Sequence, residues 1–202
     1  MLLSQKKTLL EKIKQSMLEL LLTTRALRFK GESGALEEVE LGEVITLEYG
    51  ASLPETQRIM GEYPIIGSNG IIGYHKNFLV KSPAIIVGRK GSAGRISYSD
   101  KNCYPIDTTY FVKLKHKCNS RFVYFLLLTL KLEKRAQFTG VPGLNRNDVC
   151  DLKIPLPPLP TQQKIAHLLS TLDRLIELTH QEQQLLVRIT RALRDQLICK
   201  EN

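Results

Sequence analysis

Residues 161–199 contain neither glycine nor proline, and the seven residues before them, IPLPPLP (154–160), contain four prolines. No other feature limits the fold of this chain so sharply. Each proline removes a backbone donor and fixes φ, so 154–160 is predicted as an extended link rather than helix. Thr161 is placed to cap a helix that follows. Ile165, Leu168, Leu172, Leu175, Thr179, Glu182, Leu186, Ile189 and Leu193 then alternate steps of three and four, the spacing of one helix face. At 1.5 Å per residue such a helix runs roughly 58 Å, far beyond an ordinary domain helix. Leu168, Leu172, Leu175, Leu186, Ile189 and Leu193 are therefore candidate contacts to a partner helix. Thr179 and Glu182 interrupt the seam, where polar groups set register. The competing expectation is a helix packed along its own domain.

A second helical pattern opens the chain. Leu10, Ile13, Met17, Leu20, Thr24 and Leu27 share a face, Gly31 is the expected stop, and Arg25, Arg28 and Lys30 suit the negative helix end. The two helices are also related. At an offset of 176, Leu2, Gln5, Leu9, Leu10 and Ile13 fall on the identical Leu178, Gln181, Leu185, Leu186 and Ile189. Amphipathic helices share leucines by chance, but the shared glutamine in an ungapped run favours a repeat.

Between them, residues 36–153 form a mixed domain. VITLEYG (44–50), PIIGSNGIIGY (64–74), PAIIVGRKG (83–91), GRISYS (94–99) and TTYFVKLK (108–115) are β-branched or aromatic runs bounded by turn formers. SRFVYFLLLTLKLEKRAQ (120–137) is predicted as a helix, with Ser120 as its cap and Lys131, Lys134 and Arg135 at its end. The fold class is α+β, a strand-rich domain flanked by long coiled-coil-forming helices. The pieces are 1–30, 36–153, the link 154–160 and the helix 161–199.

Charge narrows the function. The net charge is +9, but residues 31–62 carry −7 and residues 63–160 carry +10. A basic central block fits a polyanion, nucleic acid first, although a solvated basic face has the same composition. Cys103, Cys118, Cys150 and Cys199 form no Cys-x-x-Cys pair, and the four histidines complete no zinc spacing, so no metal is expected. Reduced thiols and a cytoplasmic location are expected. The apolar run FVYFLLLTL (122–130) is too short to span a bilayer, which needs about 20 residues.

GRKGSAGR (88–95) invites a phosphate-loop reading. It lacks the Lys-Ser/Thr that opens a helix in a P-loop, and a strand follows where a dinucleotide fold needs a helix. A hairpin with glycines at positive φ accounts for its shape. It leaves Arg89, Lys90 and Arg95 crowded at the tip, where cations meet phosphates or guanine edges. GSNGIIGYHK (67–76) adds Ser68, Asn69, Tyr74 and Lys76. KRAQFTGVPGLNRND (134–148) adds Arg135, Gln137, Asn145 and Arg146. The eight candidates for DNA contact are Ser68, Asn69, Tyr74, Lys76, Arg89, Lys90, Arg95 and Arg146. If Arg89 or Lys90 reads a base, its change to Ala weakens specific binding by about 1–3 kcal/mol. No catalytic constellation is present: the histidines are scattered, and 63–160 holds five carboxylates.

The order of helix, basic glycine-loop domain, proline-rich link and long helix resembles the specificity (S) subunit of type I restriction–modification systems. Residues 140–177, GVPGLNRNDVCDLKIPLPPLPTQQKIAHLLSTLDRLIE, look like the end of a target recognition domain running into a helical spacer. Residues 85–114 are similar to the family's strand–loop–strand signature, and 16–29 to the end of a spacer helix. The usual subunit has two recognition domains; this chain has one. The resemblance implies a non-catalytic half subunit that pairs with a second copy and reads a bipartite palindrome in double-stranded DNA. It also implies docking of methyltransferase (M) subunits and possibly restriction (R) subunits. S-adenosylmethionine, ATP and Mg would then sit on those partners, with no cofactor on this chain. Two other readings stay open: a coiled-coil interaction protein without specific DNA binding, and a stand-alone nucleotide enzyme.

Overall fold

The structure, a computed structural model, describes residues 2–23, 37–115, 117–137 and 143–198. The chain divides into two compact units, Phe29–Lys164 and the pair Met1–Arg28 with Ile165–Asn202.

The first unit is built on a four-stranded antiparallel sheet. Its order is β2 (Ile45–Tyr49), β8 (Thr109–Leu114), β5 (Ala84–Gly88), β6 (Ile96–Ser99). β5 is buried along its whole length, as a central apolar strand should be. α3 (Ser120–Thr129) packs on β5 and β6 and buries Phe122, Val123, Phe125, Leu126 and Leu127. A smaller sheet orders β4 (Gly70–His75), β3 (Tyr63–Gly67) and β7 (Tyr104–Pro105), with β3 and β4 joined by a tight hairpin. A third pairs β1 (Glu37–Glu40) with β9 (Lys153–Leu156). Two short helices, α2 (Leu41–Val44) and α4 (Arg146–Cys150), lie beside that ribbon, which is tied by Leu41 N–H donating to Leu152 O at 2.8 Å. α5 runs from Leu159 to Ile198.

All five predicted strand runs hold strands, and α+β is the fold class. The differences are local and have physical causes. The first half of the proline stretch is a strand, because Pro155 faces Glu38 at the margin of a two-stranded ribbon where a lost donor is tolerated. α5 starts two residues before Thr161, with Pro160 in its first turn, where its missing N–H costs nothing. Asn119, not Ser120, caps α3: its Oδ1 accepts from Phe122 N–H at 3.0 Å. The predicted helix 120–137 breaks after Thr129. Lys131 adopts a left-handed φ of 48°, and a separate 3-10 turn, Leu132–Arg135, follows.

Gln162, 2% exposed, fastens the start of α5 within this unit. Its Nε2 donates to Pro157 O at 2.9 Å and its Oε1 accepts from Asn119 N–H at 2.9 Å. His75 is likewise structural. It is buried, accepts from Ile59 N–H at 3.0 Å, and stands edge-on to Tyr104.

In the second unit α1 (Leu2–Leu18) continues into a π-turn, Glu19–Thr23. Thr24, Leu27, Gly31 and the basic residues expected near the helix end lie outside the described residues. α1 runs antiparallel to α5. Lys14 Nζ is 2.5 Å from Asp173 Oδ1, while Leu2 and Leu3 border a groove with Leu186–Asp195. The lining is mixed: Ser4, Lys7, Thr8 and Glu11 stand against His180, Gln183, Gln184, Val187 and Arg188, and Leu2 and Leu3 against Leu186 and Val187. The predicted seams are exposed only in part. On α1, Leu10, Met17 and Leu20 are half-buried and Ile13 is more than one-third exposed; on α5, Ile165 and Thr179 are buried, Leu168 and Leu172 half-buried, and Leu175, Leu186, Ile189 and Leu193 more than one-third exposed.

Candidate nucleic-acid interface

The antiparallel register gathers one end of the four-stranded sheet from distant parts of the chain. Tyr49 faces Tyr110, Gly88 faces Thr109 and Val87 faces Ile96. The end of β2, the start of β8 and the loop between β5 and β6 therefore share one edge. The loop is closed by backbone bonds: Gly88 N–H donates to Arg95 O and Gly94 N–H to Gly88 O, both at 2.8 Å. Gly91 and Gly94 have φ of 74° and 86°, which side-chain-bearing residues rarely adopt. Gly94 is also pressed against the 3-10 turn, so that a Cβ would lie 2.3 Å from Glu133 N. Its bareness serves this internal contact.

The three candidate loops meet. The β3–β4 hairpin brings Asn69 to the second loop, where its Oδ1 accepts a short bond from Arg95 Nη1. Ser68 lies against Gly88 and Gly91. The second loop holds the third through a Lys90–Gly143 bridge and Leu144 N–H donating to Arg89 O at 2.9 Å. Gln137 bridges Gly143 as well. Asn145 is spent on structure, its Oδ1 capping α4 at Asn147 N–H, 2.9 Å. Residues 138–142 lie outside the described residues. Tyr74 and Lys76 are exposed at the opposite end of β4 from the hairpin turn. Among the described residues six of the eight candidates are brought together: Ser68, Asn69, Arg89, Lys90, Arg95 and Arg146.

At the centre stands Tyr49, 53% exposed, a residue the sequence did not single out. The guanidinium carbons of Arg89 and Arg146 lie 5.2 and 5.7 Å from its ring centroid. Arg89 is fixed further: Nε and Nη2 both donate to the backbone carbonyl of Asp107, at 2.9 and 2.6 Å. Tyr110 lies beneath, 5.1 Å from Tyr49 by ring centroids, and its hydroxyl donates to Leu144 O at 3.0 Å. Burial, then the adjacent Tyr49 phenol, pushes the Tyr110 hydroxyl up to about 12, while Arg89 and Arg146 pull it the other way. Among the described residues, Arg89, Lys90, Arg95 and Arg146 have no carboxylate ion-pair partner. A rigid, cationic, aromatic-centred surface of this kind binds polyanions.

Among the described residues no group of three or more His, Cys, Asp or Glu is arranged to hold a metal ion. Cys103, Cys118 and Cys150 are free, and Cys199 lies outside the described residues. No described helix is long and apolar enough to cross a membrane.

Comparison with known proteins points to one family. The family described as type I restriction modification DNA specificity domain matches residues 35–188. The EcoprrI type I restriction enzyme specificity subunit of Escherichia coli is 25% identical over 155 residues, covering 74% of this chain and 39% of that protein. The MjaVIII specificity subunit of Methanocaldococcus jannaschii is 30% identical over 132 residues, 62% of this chain and 30% of its own length. The fold is similar to the S subunit of the M. genitalium type I restriction-modification system, with a TM-score of 0.79 at 18% identity, over 95% of this chain and 54% of that one. The HsdS subunit of Thermoanaerobacter tengcongensis gives 0.66 at 16% identity, over 96% and 52%. The chain thus spans about four-tenths or less of the curated subunits and about half of the solved ones. With residues 35–188 matched, from the start of the strand-rich unit well into α5, the chain belongs to the type I restriction modification DNA specificity domain family.

Proposed function

We propose that this chain recognises DNA for a type I restriction–modification complex and is not itself a catalyst. One observation carries the reading: three loops distant in sequence converge at one end of the sheet, and among the described residues Arg89, Lys90, Arg95 and Arg146 have no carboxylate ion-pair partner. Duplex DNA supplies the missing counter-charge, and base edges in the major groove supply specificity. Arg95 and Asn69, exposed and hydrogen-bonded to each other, are the base-reading candidates.

The working form is a homodimer. The later part of the α5 seam, Leu175, Leu186, Ile189 and Leu193, is exposed, and a second copy has the same apolar surface to offer. Two-fold symmetry then dictates a bipartite palindrome, with the helices setting half-site spacing. Methyltransferase subunits, carrying S-adenosylmethionine, dock on the helices, and restriction subunits carrying ATP and Mg join them in the cytoplasm. This chain holds no cofactor of its own.

The test is light scattering of the purified chain, alone and with its methyltransferase subunit. A particle of twice 22.9 kDa that gains methyltransferase subunits supports the assembly. A monomer that ignores them contradicts it.

A further inference from the structure

Resting on the DNA-recognition reading, we infer that Tyr49, Arg89 and Arg146 form a backbone-phosphate anchor, which positions the duplex and does not read its sequence. Both guanidiniums are held against one half-exposed ring, at 5.2 and 5.7 Å, and neither meets a carboxylate among the described residues. Two cations gathered around one ring raise the positive potential there, and an anion that reaches it is attracted by both. A base edge offers acceptors but no net charge, whereas a phosphodiester offers a full negative charge and two free oxygens, matched to guanidinium forks.

The anchor is also built in advance. Arg89 has one edge of its guanidinium fixed on Asp107 O, its backbone amide donates to Thr108 O at 2.8 Å, and its carbonyl accepts from Leu144. Tyr110, 3% exposed, ties the underside to Leu144 as well. A side chain so constrained suits a feature that is the same at every DNA step. Arg95 is on the exposed tip, bonded to another side chain rather than to backbone. Tyr49 is a positioning residue here, since it orients both cations.

The experiment measures binding of the full-length chain to a random-sequence duplex pool between about 50 and 200 mM salt, and the sequences each variant enriches from that pool. Arg89→Ala and Arg146→Ala should each flatten the slope of log K against log salt by about 0.9, the value of one phosphate, with the enriched sequences unchanged. Tyr49→Ala should weaken both contacts although it removes no charge, and Tyr49→Phe should retain them. An unchanged slope for both arginine variants, in a wild type that binds, overturns the anchor alone. So does a change in enriched sequence with Arg89→Ala, which would make Arg89 a base reader. A wild-type chain that binds no duplex overturns the DNA reading with it. Circular dichroism of each variant separates lost contacts from lost fold.

Discussion

Gly91 and Gly94 occupy the same loop and nearly the same backbone conformation, φ 74° and 86°, yet their surroundings differ. A Cβ at Gly91 meets nothing closer than Ser68 Oγ at 3.6 Å. At Gly94 it falls 2.3 Å from Glu133 N and 2.4 Å from the Leu132 carbonyl carbon, both backbone atoms. Gly91→Ala therefore carries only the left-handed penalty of an L-residue, about 1 kcal/mol. Gly94→Ala carries that penalty and must also push the Leu132–Arg135 turn off the loop, an overpacking cost that brings the total to about 2–4 kcal/mol. Urea denaturation followed by circular dichroism separates them. With a slope near 2 kcal/mol/M, the midpoint should fall by about 0.5 M for Gly91→Ala and about 1–2 M for Gly94→Ala. Equal shifts would refute the reasoning, because they would mean that the turn does not press on Gly94.

Three further outcomes follow from named contacts. Gln162→Ala removes two hydrogen bonds from a residue 2% exposed and leaves Asn119 N–H without its partner, so it should cost about 1–3 kcal/mol in the same urea assay. Burial pushes the Cys103 thiol up to about 11 from an ordinary 9. The folded state then holds this proton more tightly than the unfolded one. Its contribution to stability is complete below about pH 9 and falls away as pH rises toward 11, and Cys103→Ala should flatten that limb of a pH–stability curve. Lys14→Met breaks the half-exposed pair with Asp173 and should lower stability by no more than about 1 kcal/mol, with the difference shrinking as salt is added.

Much of the fold was legible because strand runs and helix seams are local patterns. The runs around Leu47, Ile65, Ile86 and Phe111 contain the strands expected of them. What was missed depends on partners remote in sequence. Pro155 reads as a link until Glu38 is known to pair with it. Lys131 has no sequence mark of a left-handed residue, so the helix break behind α3 was invisible. The candidate loops were found from their cations, but Tyr49 was not. It ends β2, and only the register beside Tyr110 and the loops carrying Arg89 and Arg146 give it a role. The one available signal was an aromatic at the end of a strand pattern, just before Gly50 and in alternation with the apolar Ile45 and Leu47.

Central to the proposed function is sequence-specific DNA recognition by a symmetric pair of these chains. Repeated selection from a random duplex pool, using the chain with its methyltransferase subunit, addresses that claim directly. The expected product is one palindromic pair of short half-sites at a fixed spacing, lost from the pool when Arg95 and Asn69 are changed to Ala. Enrichment of no sequence, or of a single asymmetric site, would contradict it.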